Sequence, residues 1–118
     1  MSKNLSISVL MDFYGGLLTD KQQQALELYY DQDFSLAEIA EHMDISRQGV
    51  RDFIKRGEKQ LTEFEEALGL LERFSQISGE LKNLSDGMAQ LKKLNLTPTA
   101  AKIISQMSET LLNIENKL

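Results

Sequence analysis

The chain has 118 residues, with 13 Lys and Arg against 18 Asp and Glu, so its formal net charge is −5. That length fits one domain, or a small domain with an extension. An acidic total disfavours nucleic-acid binding through bulk charge unless the cations are clustered. The absence of cysteine excludes disulfides and thiolate zinc sites, and the single histidine disfavours His-based metal cages and Ser-His-Asp catalysis. The apolar runs are too short to span a membrane and no signal-peptide pattern is present, so we expect a cytoplasmic protein.

A single proline and few turn clusters predict that nearly the whole chain is helical. We expect Gly15-Gly16 to end a first helix, and Thr19 to cap a second helix that stops at the polar segment 31–33. The first helix is expected to bury a stripe of residues four apart, namely Leu5, Val9, Phe13 and Leu17.

Two helix starts lie close together between residues 35 and 47. Ser35-x-x-Glu38 is a capping box that opens a third helix ending at Met43, and Ser46 caps a fourth helix that runs past Leu61. Asp44 stands in the connection where glycine is commonest, and Asp adopts a left-handed backbone more readily than most residues. Apolar residues occupy the offsets of a helix-turn-helix, namely Ile39, Ala40, Met43, Ile45, Val50 and Phe53. An ordinary helical hairpin is the alternative.

The second half of the chain predicts a helical extension. From Leu61 to Leu91 the apolar residues follow a heptad-like seam with one insertion. Three glycines cost about 1 kcal/mol each in a helix interior and favour two or three bent or broken helices; they are Gly69, Gly79 and Gly87. Thr97-Pro98 starts the last helix, whose apolar side comprises Ile103, Ile104, Met107, Leu111, Ile114 and Leu118. We therefore expect a helix-turn-helix domain at residues 1–60 and, at 61–118, an extension that packs on itself, pairs two chains into a homodimer or binds a partner.

The fourth helix carries cations along one edge. If its core side comprises Val50, Phe53 or Ile54, Gly57 and Leu61, the opposite ridge comprises Arg47, Arg51, Lys55 and Lys59, with Arg56 beside it. Residues 46–60 hold five cations and two carboxylates, a local charge of +3. Cations segregated on a recognition helix indicate nucleic-acid binding, whereas a solvated charged face is the alternative. Four neutralised phosphates would give a slope of about −3.6 for log affinity against log salt on duplex DNA.

The first turn of this helix holds Arg47 and Gln48, and that turn reaches base edges in helix-turn-helix complexes. Arg pairs with guanine and Gln with adenine. An outward Asp52 would repel phosphate, and Gly49 loosens the helix, so both residues weaken a sequence-specific DNA site. The nucleic-acid site is predicted at Arg47, Gln48, Arg51, Lys55, Arg56 and Lys59.

A string of short motifs runs through the first half of the chain. The motifs are Asp12-Phe13-Tyr14, Leu17-Leu18-Thr19, Lys21-Gln22, Glu27-Leu28-Tyr29-Tyr30, Ser35-Leu36, Glu38-Ile39-Ala40, Ser46-Arg47-Gln48, Val50, Asp52, Ile54-Lys55-Arg56 and Glu58. Over residues 5–68 this string resembles the YlxM family, which are small bacterial helix-turn-helix proteins similar to region 4 of sigma factors. The family tends to carry Ala, Tyr and Asn where this sequence has Gly49, Arg51 and Phe53. The segment after Leu68 does not resemble the family's usual ending.

The resemblance implies an all-α fold, a sigma-region-4-like helix-turn-helix module with a C-terminal helical extension. It also implies a cytoplasmic regulatory or accessory role in the signal-recognition-particle pathway, through contact with the particle's RNA or its GTPase. A-form RNA has a deep, narrow major groove, so RNA contact would have to follow phosphates, a bulge or the shallow groove. Two other functions stay open: a DNA-binding transcriptional regulator with half-sites about one helical turn apart, and an adaptor that grips a partner helix without nucleic acid.

Other candidate sites are weaker. Asp31-x-Asp33-x-Ser35 begins like a calcium loop, but Leu36 and His42 replace the glycine and the glutamate that such a loop needs. We expect Glu63, Glu65 and Glu66 to form a solvated acidic face, and Tyr29 and Tyr30 to pack in the core rather than stack on bases. No Gly-rich phosphate loop is present. The sequence therefore predicts no cofactor, no metal and no enzyme.

Overall fold

The computed structural model describes residues 5–118, with side chains from Ser6 onward. Within this range the chain forms only helices, which confirms the all-α prediction. The α-helices are α1 (Leu5–Tyr14), α2 (Asp20–Leu26), α3 (Leu36–Met43), α4 (Arg47–Leu68), α5 (Leu70–Lys92) and α6 (Pro98–Lys117). A 3-10 turn at Gly15–Leu17 follows α1, and a π-helical segment at Glu27–Asp31 extends α2.

The chain divides into two compact units. The first runs to Leu71 and the second comprises Glu72–Leu118. The sequence places a boundary near residue 60, but α4 continues through that point without a break. Because Leu61 is fully buried in the core of the first unit and Phe64 packs against that core, the first unit extends to the end of α4 and beyond.

The predicted apolar stripe of α1 is wrong at Val9 and Leu17, whereas Phe13 packs against the core. Val9 is 41% exposed and Leu17 60% exposed, whereas Leu5 lies outside the described side chains. The residues that α1 buries are Ile7, Leu10, Met11 and Tyr14. Both sets fit a helical period, and packing against α4 and the π-helical segment selects the second set. The predicted end of α1 at Gly15-Gly16 is confirmed.

Side-chain caps fix the starts of α2 and α3. The Thr19 hydroxyl accepts from the N–H of Gln22, whose side chain in turn accepts from the Thr19 N–H, so α2 begins with a full capping box. Ser35 and Glu38 form the same reciprocal pair at the start of α3, as the sequence predicts.

The turn between α3 and α4 spans three residues and is closed by backbone hydrogen bonds. Asp44 adopts the predicted left-handed conformation, with φ of 55°. The Ile45 N–H donates to the Ala40 carbonyl at 3.0 Å and the Asp44 N–H to the Glu41 carbonyl at 3.3 Å, which is the Schellman pattern of a helix end. Three residues between two packed helices is the connection that a helix-turn-helix requires, so this prediction is confirmed.

Gly57 lets α4 approach α2 closely. A Cβ atom at this position would lie 2.6 Å from Cδ1 and 3.3 Å from Cγ of Leu26. Leu26 and its neighbour Ala25 have no exposed surface, so no open space is available for the displaced methyl group. A side chain at Gly57 would therefore push the two helices apart, and this contact sets the position of α4 against the core.

The end of α4 and the start of α5 are tied to α1. Gly69 adopts a left-handed conformation with φ of 63°, so α4 stops there. The Tyr14 hydroxyl donates to Glu65 Oε1 at 2.6 Å and accepts from the Leu70 N–H at 3.1 Å, while the same Glu65 oxygen accepts from the Leu71 N–H at 3.0 Å. Two of the amides that the first turn of a helix leaves open are thereby satisfied. The predicted solvated acidic face is therefore wrong for Glu65, whereas Glu63 and Glu66 are exposed as expected.

The second unit pairs α5 with α6 through the short connection 93–97. Its buried apolar residues, each about 8% exposed, are Leu81, Met88, Ile104 and Leu111. The helix breaks at Gly69 as the sequence predicts, but Gly79 and Gly87 lie inside an uninterrupted α5. Thr97 caps α6, and its hydroxyl accepts from the Ala100 N–H at 3.1 Å.

Candidate nucleic-acid interface

One side of α4 is anchored in the core. Its four buried residues are Val50, Ile54, Gly57 and Leu61. Of the two candidates left open by the sequence, Ile54 is fully buried and Phe53 packs at the margin of the core. This anchoring turns the remaining surface of α4 toward solvent and fixes which side chains a ligand could touch.

All six residues of the predicted site are exposed. Arg47, Arg51, Lys55 and Lys59 follow one another at steps of four residues along about 18 Å of helix, given a rise of about 1.5 Å per residue. One strand of B-DNA carries about five phosphates over that distance. Arg56 lies further around the helix, about 100° from Lys55. We call the cations Arg47, Arg51, Lys55, Arg56 and Lys59 the basic ridge.

Lys59 differs from the rest of the basic ridge because it has an acidic partner. Its Nζ lies 3.9 Å from Glu63 Oε1, one turn further along α4, with both side chains more than half exposed. An exposed pair of this kind stabilises by less than about 1 kcal/mol. Glu63 therefore weakens the attraction of Lys59 for an anionic ligand but does not abolish it. Within residues 6–118 the other four cations of the basic ridge form no ion pair.

Gln48 and Asp52 are engaged with each other. Gln48 Nε2 donates to Asp52 Oδ1 at 3.1 Å across one turn of the exposed face. A Gln48 side chain that reads a base would have to leave this contact, and the freed carboxylate of Asp52 would then face the ligand. The structure therefore brings Gln48 to the predicted face but not into an open donor position.

Acidic side chains crowd the far end of the basic ridge. A groove of about 530 Å³ beside α4 is lined by Ile7, Lys55, Glu58, Lys59, Thr62, Glu63 and Glu66. Glu58 is fixed in place because Oε1 accepts the hydroxyl of Tyr30. Lys55 and Lys59 therefore share this groove with three glutamates, whereas Arg47 and Arg51 lie outside it. The sequence carries the signal for this, since Lys55 and Lys59 each precede a glutamate by three or four residues.

The rest of the first unit is strongly acidic. Residues 1–71 hold seven Lys and Arg against thirteen Asp and Glu, a net charge of −6, and five of the seven cations belong to the basic ridge. Residues 72–118 hold six cations and five carboxylates, a net charge of +1. A polyanion would be attracted to one edge of the first unit and repelled by most of its remaining surface.

Helix α3 is part of that acidic surface. It carries Glu38 and Glu41, and it ends beside Asp44. In helix-turn-helix complexes with duplex DNA, the helix before the recognition helix crosses the phosphate backbone. Here that helix has no Lys or Arg, so its charge disfavours this docking. His42 in its last turn is exposed, with its ring 6.1 Å from that of Phe34.

The tyrosines of the π-helical segment serve the core, as the sequence predicts. Tyr29 is 5% exposed, and its ring meets that of Tyr30 edge to face at 5.1 Å. Tyr30 is partly buried and donates its hydroxyl to Glu58. In the described part of the chain no helix is long and apolar enough to cross a membrane, and no cluster of three His, Asp or Glu could bind a metal.

Comparison with known proteins extends the resemblance found in the sequence. Residues 1–102 match the profile of the UPF0122 family, described as "Putative helix-turn-helix protein, YlxM / p13 like". The resemblance seen in the sequence ends at residue 68, so the expectation that the remainder departs from the family is wrong for α5 and the start of α6. That description is of a helix-turn-helix protein and names no enzyme.

Several curated relatives support the same assignment. The UPF0122 protein of Thermoanaerobacter sp. (strain X514) is 45% identical over 104 residues, which cover 88% of this chain and 89% of the relative. The UPF0122 protein of Acetivibrio thermocellus is 40% identical over 114 residues, 97% of both chains. That of Desulforamulus reducens is 52% identical over 84 residues, 69% of this chain and 72% of the relative. With these matches, and with the helix-turn-helix geometry at α3 and α4, the chain belongs to the UPF0122 family of YlxM/p13-like helix-turn-helix proteins.

Proposed function

We propose that this protein binds nucleic acid through the basic ridge of α4, as a regulatory or accessory factor in the cytoplasm. The observation that carries the proposal is the exposure of Arg47, Arg51, Lys55 and Arg56, which form no ion pair with any side chain of residues 6–118, in a unit whose net charge is −6. Five cations on one edge of an acidic surface orient a polyanion toward that edge.

The proposed contacts follow phosphates rather than bases. The four-residue steps of the basic ridge turn by only about 40° each around α4, and Arg47 lies in the first turn, where the helix dipole also favours an anion. Gln48 is held by Asp52 and α3 is acidic, so neither supports sequence-specific docking in a DNA major groove. An RNA helix, whose major groove excludes a recognition helix, can still be contacted along its phosphates.

The family resemblance supplies the biological setting. A YlxM-like protein is expected to serve the signal recognition particle by contacting its RNA or its GTPase. The acidity of α3 favours the particle's RNA over duplex DNA as the ligand, because RNA contact along phosphates does not require α3 to approach the backbone. Pairing of two chains, which the sequence also predicts, would double the number of cations that face one nucleic acid.

Binding of fluorescently labelled ligands tests the proposal. We would measure the anisotropy of an RNA hairpin and of a DNA duplex of equal length, with the full chain and with Arg51→Glu/Lys55→Glu. The double reversal should abolish binding at low salt and leave the far-UV circular dichroism unchanged, since both side chains are exposed. A matched control is Lys82→Glu/Lys102→Glu, which changes the net charge equally at exposed positions of the second unit.

The two variants separate a specific ridge from general charge. If the ridge binds nucleic acid, only the Arg51/Lys55 variant loses affinity, and the RNA hairpin is bound more tightly than the DNA duplex. An equal loss of affinity in both variants would mean that binding depends on the net charge of the protein and not on the basic ridge. Unchanged binding by the Arg51/Lys55 variant would remove the basic ridge from the function.

The role in protein targeting needs a separate measurement. The tagged protein would be captured from a bacterial lysate with and without nuclease, at two salt concentrations. Recovery of the particle's RNA that is lost on nuclease treatment supports the accessory role. Recovery of the particle's GTPase that resists both nuclease and salt would instead assign the function to protein contact, the adaptor alternative.

A further inference from the structure

The second unit carries an apolar face that its own helices do not cover. On α5 the face consists of Ile77, Leu84 and Leu91, which lie seven residues apart; on α6 it consists of Ile103, Met107 and Ile114. Each of these six side chains is between 42% and 59% exposed. We call them the hairpin face.

Four residues of the hairpin face line a groove of about 370 Å³ between the two helices, namely Leu84, Ile103, Met107 and Ile114. Its floor is formed by Leu81, Met88 and Leu111, and none of its lining residues is charged. The groove therefore offers no ion pair to a nucleic acid or to an acidic or basic peptide. Its chemistry selects another apolar helical surface.

The buried core of the second unit is small for its length. Only four apolar side chains are buried over Glu72–Leu118, whereas six large ones lie open on one side. Two helices joined by a short connection bury one seam, and a second pair of helices is what completes such an arrangement as a four-helix bundle. A seven-residue spacing like that of Ile77, Leu84 and Leu91 is the pattern that helices use to pack along one another.

The area of the hairpin face fits a dimer. From their exposed fractions the six side chains present roughly 500 Å² per copy, so burying two such faces would remove about 1,000 Å² from water, the lower limit for a specific interface. The same patch on both partners can be self-complementary about a two-fold axis. We propose that the hairpin face pairs two copies of this chain through α5 and α6.

The mass of the full chain in solution tests this proposal. Sedimentation equilibrium from about 1 to 100 μM protein should show a mass that rises from 13.4 kDa toward twice that value. Leu84→Glu should weaken self-association at least about 100-fold, because a carboxylate would be buried without a partner. The matched control is Leu112→Glu, since Leu112 is 56% exposed on α6 but projects about 140° away from Met107 around the helix.

A second measurement keeps the test valid if the glutamate variant unfolds the hairpin. The chain has no cysteine, so Leu84→Cys and Leu112→Cys each provide one thiol for a short bifunctional maleimide. Pairing through the hairpin face predicts covalent dimers with Leu84→Cys and few with Leu112→Cys. A wild-type chain that stays at 13.4 kDa throughout, or equal cross-linking of both variants, would overturn the proposal. None of these substitutions touches the basic ridge, so pairing and nucleic-acid binding can fail independently.

Discussion

The close approach of α4 to α2 makes Gly57→Ala the sharpest test of the packing. An added Cβ would lie 2.6 Å from Leu26 Cδ1, about 1 Å inside an ordinary carbon–carbon contact. Overpacking of this kind costs about 1–3 kcal/mol, whereas replacing glycine by alanine in a helix gains about 1 kcal/mol. We therefore expect Gly57→Ala to lower the free energy of unfolding of the first unit by about 1 kcal/mol.

The assay can follow the first unit alone. The chain has three tyrosines and no tryptophan, and all three tyrosines, Tyr14, Tyr29 and Tyr30, lie in the first unit, so tyrosine fluorescence in urea reports its unfolding. Leu26→Val removes the methyl group that the new Cβ would meet. In that background Gly57→Ala should become neutral or stabilising.

Gly79→Ala is the matched control for helix propensity. A Cβ at Gly79 meets nothing within 4 Å, so the change should stabilise the second unit by about 1 kcal/mol, measured by far-UV circular dichroism. Two results would refute the close contact. One is a Gly57→Ala protein that is more stable than the wild type; the other is a loss in free energy of unfolding that is the same in the wild-type and Leu26→Val backgrounds.

Three further predictions concern helix ends and pH. Ser46→Ala should cost the first unit about 1 kcal/mol in urea unfolding, since the hydroxyl accepts the Gly49 N–H at 3.0 Å, and Ser46→Asp should restore most of it. Asp44→Gly should raise the urea midpoint and Asp44→Val should lower it, because φ is 55° at this position. Burial, and then the hydrogen bond to the Glu65 carboxylate, raise the pKa of Tyr14 above 10.0. The folded state therefore holds this proton more tightly, so the contribution of Tyr14 to the free energy of unfolding should be constant below about pH 10 and fall as the pH rises further, and Tyr14→Phe should flatten that fall.

Local signals in the sequence predict the helix boundaries well. Three helices begin at a residue whose hydroxyl accepts the backbone N–H three residues later, namely Ser35, Ser46 and Thr97. Asp44 ends α3 for an equally local reason. These features depend on the covalent neighbourhood alone, so they can be predicted without knowledge of the fold.

Features that depend on distant contacts cannot be predicted in this way. The α1 stripe fails because Val9 and Leu10 both fit a helical period, and only packing against other elements decides which is buried. Glu65 is bound by Tyr14, 51 residues earlier in the chain, and nothing near either residue indicates the pair.

The candidate site can be predicted from the sequence in part. The basic ridge follows from four-residue spacing, and its exposure follows once Val50 and Ile54 are placed in the core. The contact of Lys59 with Glu63 is also visible in the sequence as a pair four residues apart. Residues 1–60 carry a net charge of −3, and a boundary at Leu71 adds three glutamates that bring the net charge of the unit to −6.

Salt dependence measures the ridge most directly. Affinity for one RNA hairpin would be determined between about 50 and 200 mM salt for the wild type, Arg51→Gln and Lys59→Gln, since each lost phosphate contact reduces the slope of log affinity against log salt by about 0.7–0.9. We predict that Arg51→Gln reduces the slope by this amount. Lys59→Gln should reduce the slope much less, because the Lys59 ammonium of the wild type already faces Glu63. A wild-type slope near zero, or equal slopes for all three proteins, would contradict the assignment of α4 as a phosphate-binding helix.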